Sequence, residues 1–135
     1  LSEFFKDQKN TKNYNFFNVC LFPTNRDYLY QRINSRFSQM LSDGLVDEVK
    51  NLLASSNLSP SNNSMKSIGY REICAFIESK TTLEVAEQNA TMATRRLAKR
   101  QITWLRSIKS QNSYDIFEKN LVQKISDLIS QEFKL

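Results

Sequence analysis

The run Phe16-Phe17-Asn18-Val19-Cys20-Leu21-Phe22, closed by Pro23, decides how this chain is built. Apart from Asn18, apolar residues occupy both its odd and its even positions. A strand apolar on both faces is buried on both, as in a parallel sheet covered by helices. Such a strand needs neighbours. The chain offers one other plausible strand, residues 113–117. Two short strands make too little sheet for a fold, so the sheet is expected to be completed by residues outside this chain. The expected class is mainly α with two short parallel strands belonging to an incomplete sheet.

Outward from that strand, the pattern turns helical. Thr24 and Asp27 resemble a capping box, with Asp in place of Glu, and open a first helix. Leu29, Tyr30, Ile33, Phe37, Met40 and Leu41 recur at helical spacing along it, and Gly44 ends it where a left-handed residue is wanted. A second helix carries Leu45, Val49, Leu52 and Leu53 on one face. Residues 55–64, rich in Ser and Asn with Pro60, read as a loop. Residues 68–77 form a short helix that starts near Gly69. Thr81 and Glu84 make a second capping box, and a long helix runs from there toward Ile108. Leu121, Ile125, Leu128, Ile129 and Phe133 mark a terminal amphipathic helix. Residues 1–15 are polar and read as a linker or frayed end, leaving 16–135 as the folded part.

Composition narrows the function. The formal net charge is +5, a mild pull toward polyanions. Two cysteines, Cys20 and Cys74, sit in apolar settings and read as buried thiols. With two cysteines and no histidine, a zinc finger and any histidine-base mechanism are excluded for this chain. No stretch approaches the roughly 18–20 apolar residues needed to span a bilayer. The first residue is Leu1, which raises the expectation of a piece of a longer protein.

The long helix holds the main chemical signal. From Glu87 to Asp115 there is no acidic residue, yet Arg95, Arg96, Lys99, Arg100, Arg106 and Lys109 all lie there. At about 100° per residue, Leu97, Trp104, Leu105 and Ile108 share one face, which reads as core. Arg95, Lys99 and Arg106 point the other way, with Arg96 and Arg100 on a flank. One reading is a solvated surface helix. The sharper one is a track for nucleic-acid phosphates, where neutralisation releases counterions and arginine both forks onto phosphate and stacks on bases. Composition does not choose RNA over DNA.

These residues resemble a known family. Residues 27–37, Asp-Tyr-Leu-Tyr-Gln-Arg-Ile-Asn-Ser-Arg-Phe, are similar to the L-x-x-R-I-x-x-R helix of tRNA dimethylallyltransferases, and residues 40–49 look like the segment that follows it. Residues 67–72, Ser-Ile-Gly-Tyr-Arg-Glu, resemble their I-G-Y-K/R motif. Residues 94–106, Thr-Arg-Arg-Leu-Ala-Lys-Arg-Gln-Ile-Thr-Trp-Leu-Arg, are similar to their long basic signature. The likeness runs over about residues 1–117 with order and spacing kept.

The resemblance implies transfer of a dimethylallyl group from dimethylallyl diphosphate to N6 of the adenine next to the anticodon of tRNA. It implies a P-loop kinase-like α/β core with a helical insertion, of which this chain would be the C-terminal part. It implies that Arg36 contacts the diphosphate. It also implies tRNA contacts for Lys66, Ser67, Ile68, Gly69, Tyr70 and Arg71, and for Arg95, Arg96, Lys99, Arg100, Gln101, Thr103 and Arg106. Within those contacts Tyr70 could stack on a base or be a half-buried core aromatic, and Arg71 could hold a phosphate. Mg²⁺ is expected with the diphosphate, with ligands outside this chain. The chain contains no Gly-x-x-x-x-Gly-Lys-Ser/Thr loop. The family's general-base aspartate is expected upstream of Leu1. The chain alone is therefore expected to lack transfer activity. The want of a zinc module favours the bacterial type and the cytoplasm, with a monomer as the full-length state and no membrane partner. Alternatives from other classes are a stand-alone helical RNA-binding module and a structural domain whose basic face binds a protein. The parent reading frame discriminates the first of these.

Overall fold

A computed structural model describes residues 17–55, 58–108 and 112–133. The expected linker over 1–15, Phe16 and Lys109 fall outside the described residues. In order, the elements are β1 (Val19–Phe22), α1 (Arg26–Ser42), α2 (Leu45–Ser55), a 3₁₀ turn (Ser64–Lys66), α3 (Tyr70–Ile77), α4 (Leu83–Ser107), β2 (Asn112–Asp115) and α5 (Leu121–Phe133). They fall into two compact units: Pro23–Ile108, which holds α1 to α4, and a unit holding β1, β2 and α5. No helix among the described residues is long and apolar enough to cross a membrane.

In the smaller unit, β1 and β2 pair in parallel, as expected from the two-sided apolar run, with Val19 opposite Asn112 and Phe22 opposite Asp115. Both strands are shorter or shifted relative to expectation. β2 stops at Asp115 because its Oδ1 accepts the Phe117 N–H at 3.0 Å and its carbonyl accepts the Glu118 N–H, turning the chain. Cys20 is buried, while Leu21 on the other face of β1 is exposed. α5 carries the expected apolar stripe, but none of its residues is fully buried. The Phe133 ring meets Phe17 edge-on at 6.1 Å.

Two helices of the helical unit, α1 and α4, start one residue later than the capping-box pattern predicts. Asn25, not Thr24, caps α1: its Oδ1 accepts the Tyr28 N–H at 3.0 Å. Thr82, not Thr81, caps α4, its Oγ1 accepting from Val85. Neither cap has a reciprocal acid three residues on; a side-chain oxygen on the first orphan amides is sufficient, worth about 1 kcal/mol. Gly44, at φ +100, makes the turn between α1 and α2. The core closes around Phe37, Leu45, Val49, Met65, Ile73 and Cys74, with Ala90 of α4 fully buried against it. The Cys74 thiol is pushed up by burial and by the charge of Glu78, consistent with a packing role.

Gly69 marks the entry to α3. It is buried at φ +99, ψ −64, a region closed to side-chain-bearing residues. A Cβ there would sit 3.6 Å from Phe37 Cε2, an ordinary contact, so space is not the constraint. Gly69→Ala is expected to lower stability by about 1–3 kcal/mol through backbone strain alone. Denaturant unfolding checks this: the midpoint should fall with the m-value unchanged.

Candidate nucleic-acid interface

α4 packs along a row of residues four apart: Ala86, Ala90 and Ile102 are buried, with Thr94 and Ala98 between them half-buried. Four residues overshoot one turn by about 40°, so such a row drifts around the helix as it climbs. The small side chains let the neighbouring helices approach closely. By its C-terminal half the packed direction has rotated away from Leu97 and Trp104. Trp104 was expected in the core; it is instead 65% exposed. A fixed apolar face, drawn over the whole length, is the assumption that fails.

The consequence is a composite surface. Arg96, Lys99, Arg100, Thr103, Trp104 and Ser107 line an open groove of about 580 Å³. Its lining combines one indole with three cations. The Thr103 hydroxyl donates to the Lys99 carbonyl at 3.0 Å and stays at the surface. No carboxylate pairs with Arg96, Lys99, Arg100 or Arg106 among the described residues. Gln101 and Arg106 are also exposed, with Arg106 about two turns beyond Lys99 on the same side of α4.

Arg96 also borders a second groove, of about 410 Å³, with Arg71, Thr81, Asn89 and Met92. Thus the I-G-Y-R motif and the basic signature meet through Arg71 and Arg96. Arg71 is not free: it forks onto Glu72, its Nε 2.9 Å from Oε1. Glu72 is buried and its other oxygen accepts the Gly69 N–H at 2.8 Å. The pair fixes the start of α3 and aims one guanidinium at the groove. Tyr70 points elsewhere. Its ring packs on the core and its hydroxyl donates to Glu48 of α2, a bond that holds the phenol above its usual pKa range. Of the two readings of Tyr70, the half-buried aromatic matches its surroundings.

Other expected site residues separate from this surface. Lys66 is exposed on the 3₁₀ turn, and the Ser67 hydroxyl donates to the Ser64 carbonyl. Ile68 faces a third groove, about 230 Å³, shared with Ile33, Met40, Thr94, Leu97 and Arg36. Arg36 is the one charged residue among those lining it, and the rest except Thr94 are apolar. Arg95 turns away from solvent toward α1: Nη2 donates to Asn34 Oδ1 at 2.8 Å, and the guanidinium lies 5.0 Å from the Tyr30 ring centroid. The sequence places Tyr30 on the apolar stripe of α1 and gives Asn34 no role of its own; their spacing of four residues, which puts both on one face of α1, is the signal that could have paired them.

A family model described as IPP transferase matches residues 1–108. The tRNA dimethylallyltransferase of Nitrosomonas europaea is 35% identical over 133 residues, covering 98% of this chain and 42% of that protein. The tRNA dimethylallyltransferase of Nitrosospira multiformis is 40% identical over 126 residues, covering 93% and 39%. Among solved structures, a tRNA delta(2)-isopentenylpyrophosphate transferase from Staphylococcus epidermidis superposes with a TM-score of 0.78 at 30% identity, covering 99% of this chain and 43% of that one. The full-length tRNA isopentenylpyrophosphate transferase of Bacillus halodurans gives 0.69 at 35% identity, covering 82% and 36%. The chain spans about two fifths of the length of these curated relatives.

Proposed function

This chain belongs to the IPP transferase family, and from that premise we propose that it is the tRNA-gripping C-terminal part of an enzyme that moves a dimethylallyl group from its diphosphate to N6 of the adenine beside the anticodon. The observation that carries the proposal is the groove around Trp104. An exposed indole offers a face for a base, and Arg96, Lys99 and Arg100 beside it meet the phosphates on either side. Arg71, whose charge is matched by Glu72, borders the adjoining groove with Arg96. The reacting adenine must leave its stack to reach a prenyl donor, and a grip on the flanking backbone holds it in that geometry.

Arg36 is assigned to the donor's diphosphate. As the allylic C–O bond breaks, negative charge gathers on the leaving oxygens, and a fixed cation there lowers the barrier. The apolar groove behind Arg36 suits a hydrocarbon tail. The P-loop cradle and general base are placed in the remainder of the protein, so this chain by itself should bind tRNA without transferring. Mg²⁺ belongs to the proposal as a neutraliser of diphosphate charge. The described residues contain no cluster of three acidic or thiol side chains able to hold it, and no step is routed through it. The full-length enzyme is read as a cytoplasmic monomer.

Trp104 is the chain's single tryptophan, so its emission reports on this groove alone. Titration with an unmodified anticodon stem-loop should quench it substantially and saturably. Unchanged emission at RNA concentrations that bind would remove Trp104 from the interface.

A further inference from the structure

Arg95 lies within the basic signature yet is built unlike its neighbours. Its Nη2 is committed to Asn34 of α1. Its flat face is covered by Tyr30 of α1. Its Nε is buried and donates to nothing among the described residues. Arginine grips phosphate best through two parallel N–H bonds from one edge of the guanidinium. Here Nε is buried, Nη2 on the same edge is already bonded to Asn34, and one face is stacked on Tyr30. The groove it borders also contains Glu87, whose Oε1 accepts the Ser38 hydroxyl at 2.6 Å, and a carboxylate repels a phosphate. Arg95 is thus ill placed to hold RNA and well placed to hold α1 to α4.

We propose that Arg95 is a positioning residue, a strut through Tyr30 and Asn34 that sets α1, the carrier of Arg36, against α4, the carrier of the tRNA cations. The inference rests on the functional reading above. Thr94, next to Arg95, and Leu97, two residues on, line the Arg36 groove, so the strut lies one residue from the wall of that cleft. Loosening it shifts the diphosphate cation relative to the bound adenine. Small misplacements of reacting groups carry large rate penalties.

The test uses the full-length protein with Arg95→Lys, which keeps the charge, and Asn34→Ala and Tyr30→Phe, which leave α4 intact. For Arg95→Lys the expected results are a fall in kcat of about tenfold, KM for tRNA within about twofold, and an unchanged slope of log K against log salt. Asn34→Ala should reproduce part of the kcat loss, and combining it with Arg95→Lys should add little. Tyr30→Phe, which keeps the ring, should change nothing. A phosphate contact predicts otherwise: Arg95→Lys would keep most activity, and Arg95→Met would lower the salt slope by about 0.7–0.9. That pattern overturns the proposal. Should the wild type neither bind tRNA nor transfer, the functional reading fails. The strut is then judged by urea melts alone, where additive effects of Arg95→Lys and Asn34→Ala would refute it.

Discussion

Replacing Arg36 with Ala in the full-length enzyme is expected to slow prenyl transfer on the order of 100-fold while tRNA affinity stays within about twofold. The asymmetry follows from placement. Arg36 is exposed, lines a cleft with Ile33, Phe37, Met40, Ile68, Thr94 and Leu97, and pairs with no carboxylate among the described residues. It stands apart from the grooves that hold Arg71, Arg96, Lys99 and Arg100. A cation that meets charge developing in the transition state acts on kcat, because that charge is small in the ground state. Arg36→Lys should recover part of the rate, since a point charge survives while the planar fork does not. Single-turnover transfer rates, measured beside tRNA binding, check the split. A variant that transfers normally but binds tRNA poorly would move Arg36 out of the diphosphate site and into the RNA interface.

The second large effect belongs to α4. Neutralising Arg96, Lys99 and Arg100 together, as glutamines, is expected to weaken tRNA binding on the order of 100- to 1000-fold at 50 mM salt, since counterion release alone gives each phosphate contact about tenfold there. Folding should survive. All three side chains are exposed, make no ion pair among the described residues, and repel one another when no anion is bound. Glutamine preserves helix propensity, so urea stability should hold or rise slightly. Equal losses of stability and affinity would mean that these residues support the fold.

Much of this architecture was legible in the residues. The apolar run around Val19–Phe22 announced a parallel strand before any partner was known, because a two-sided apolar strand has few other homes. The 3.6-residue spacing marked α1, α2 and α5, capping residues marked the start of α4, Gly44 marked a turn that requires positive φ, and Gly69 marked the start of α3. Cap positions were harder: Asn25 and Thr82 each sit beside an equally suitable threonine, and only backbone geometry chooses. The site was legible in part. The want of acids after Glu87 exposed the basic helix, and the family resemblance named Arg36. What could not be read was which way each cation turns. Arg95 and Arg96 are adjacent, yet one is drawn under Tyr30 by contacts more than sixty residues away in sequence and the other faces open groove. Trp104 was misplaced for a related reason. Packing along Ala86, Ala90 and Ile102 rotates as the helix climbs, so no single wheel describes its whole length.

The central claim is that the uncompensated cations of α4 exist to neutralise RNA phosphates, and the dependence of tRNA affinity on salt tests it most directly. Four exposed cations, Arg96, Lys99, Arg100 and Arg106, predict a slope of log K against log salt of about −3 for the wild type, or roughly 60-fold weaker binding on going from 50 to 200 mM. The Arg96, Lys99 and Arg100 triple variant should retain a slope of about −1. A shallow wild-type slope, or one that the triple substitution leaves unaltered, would contradict the account.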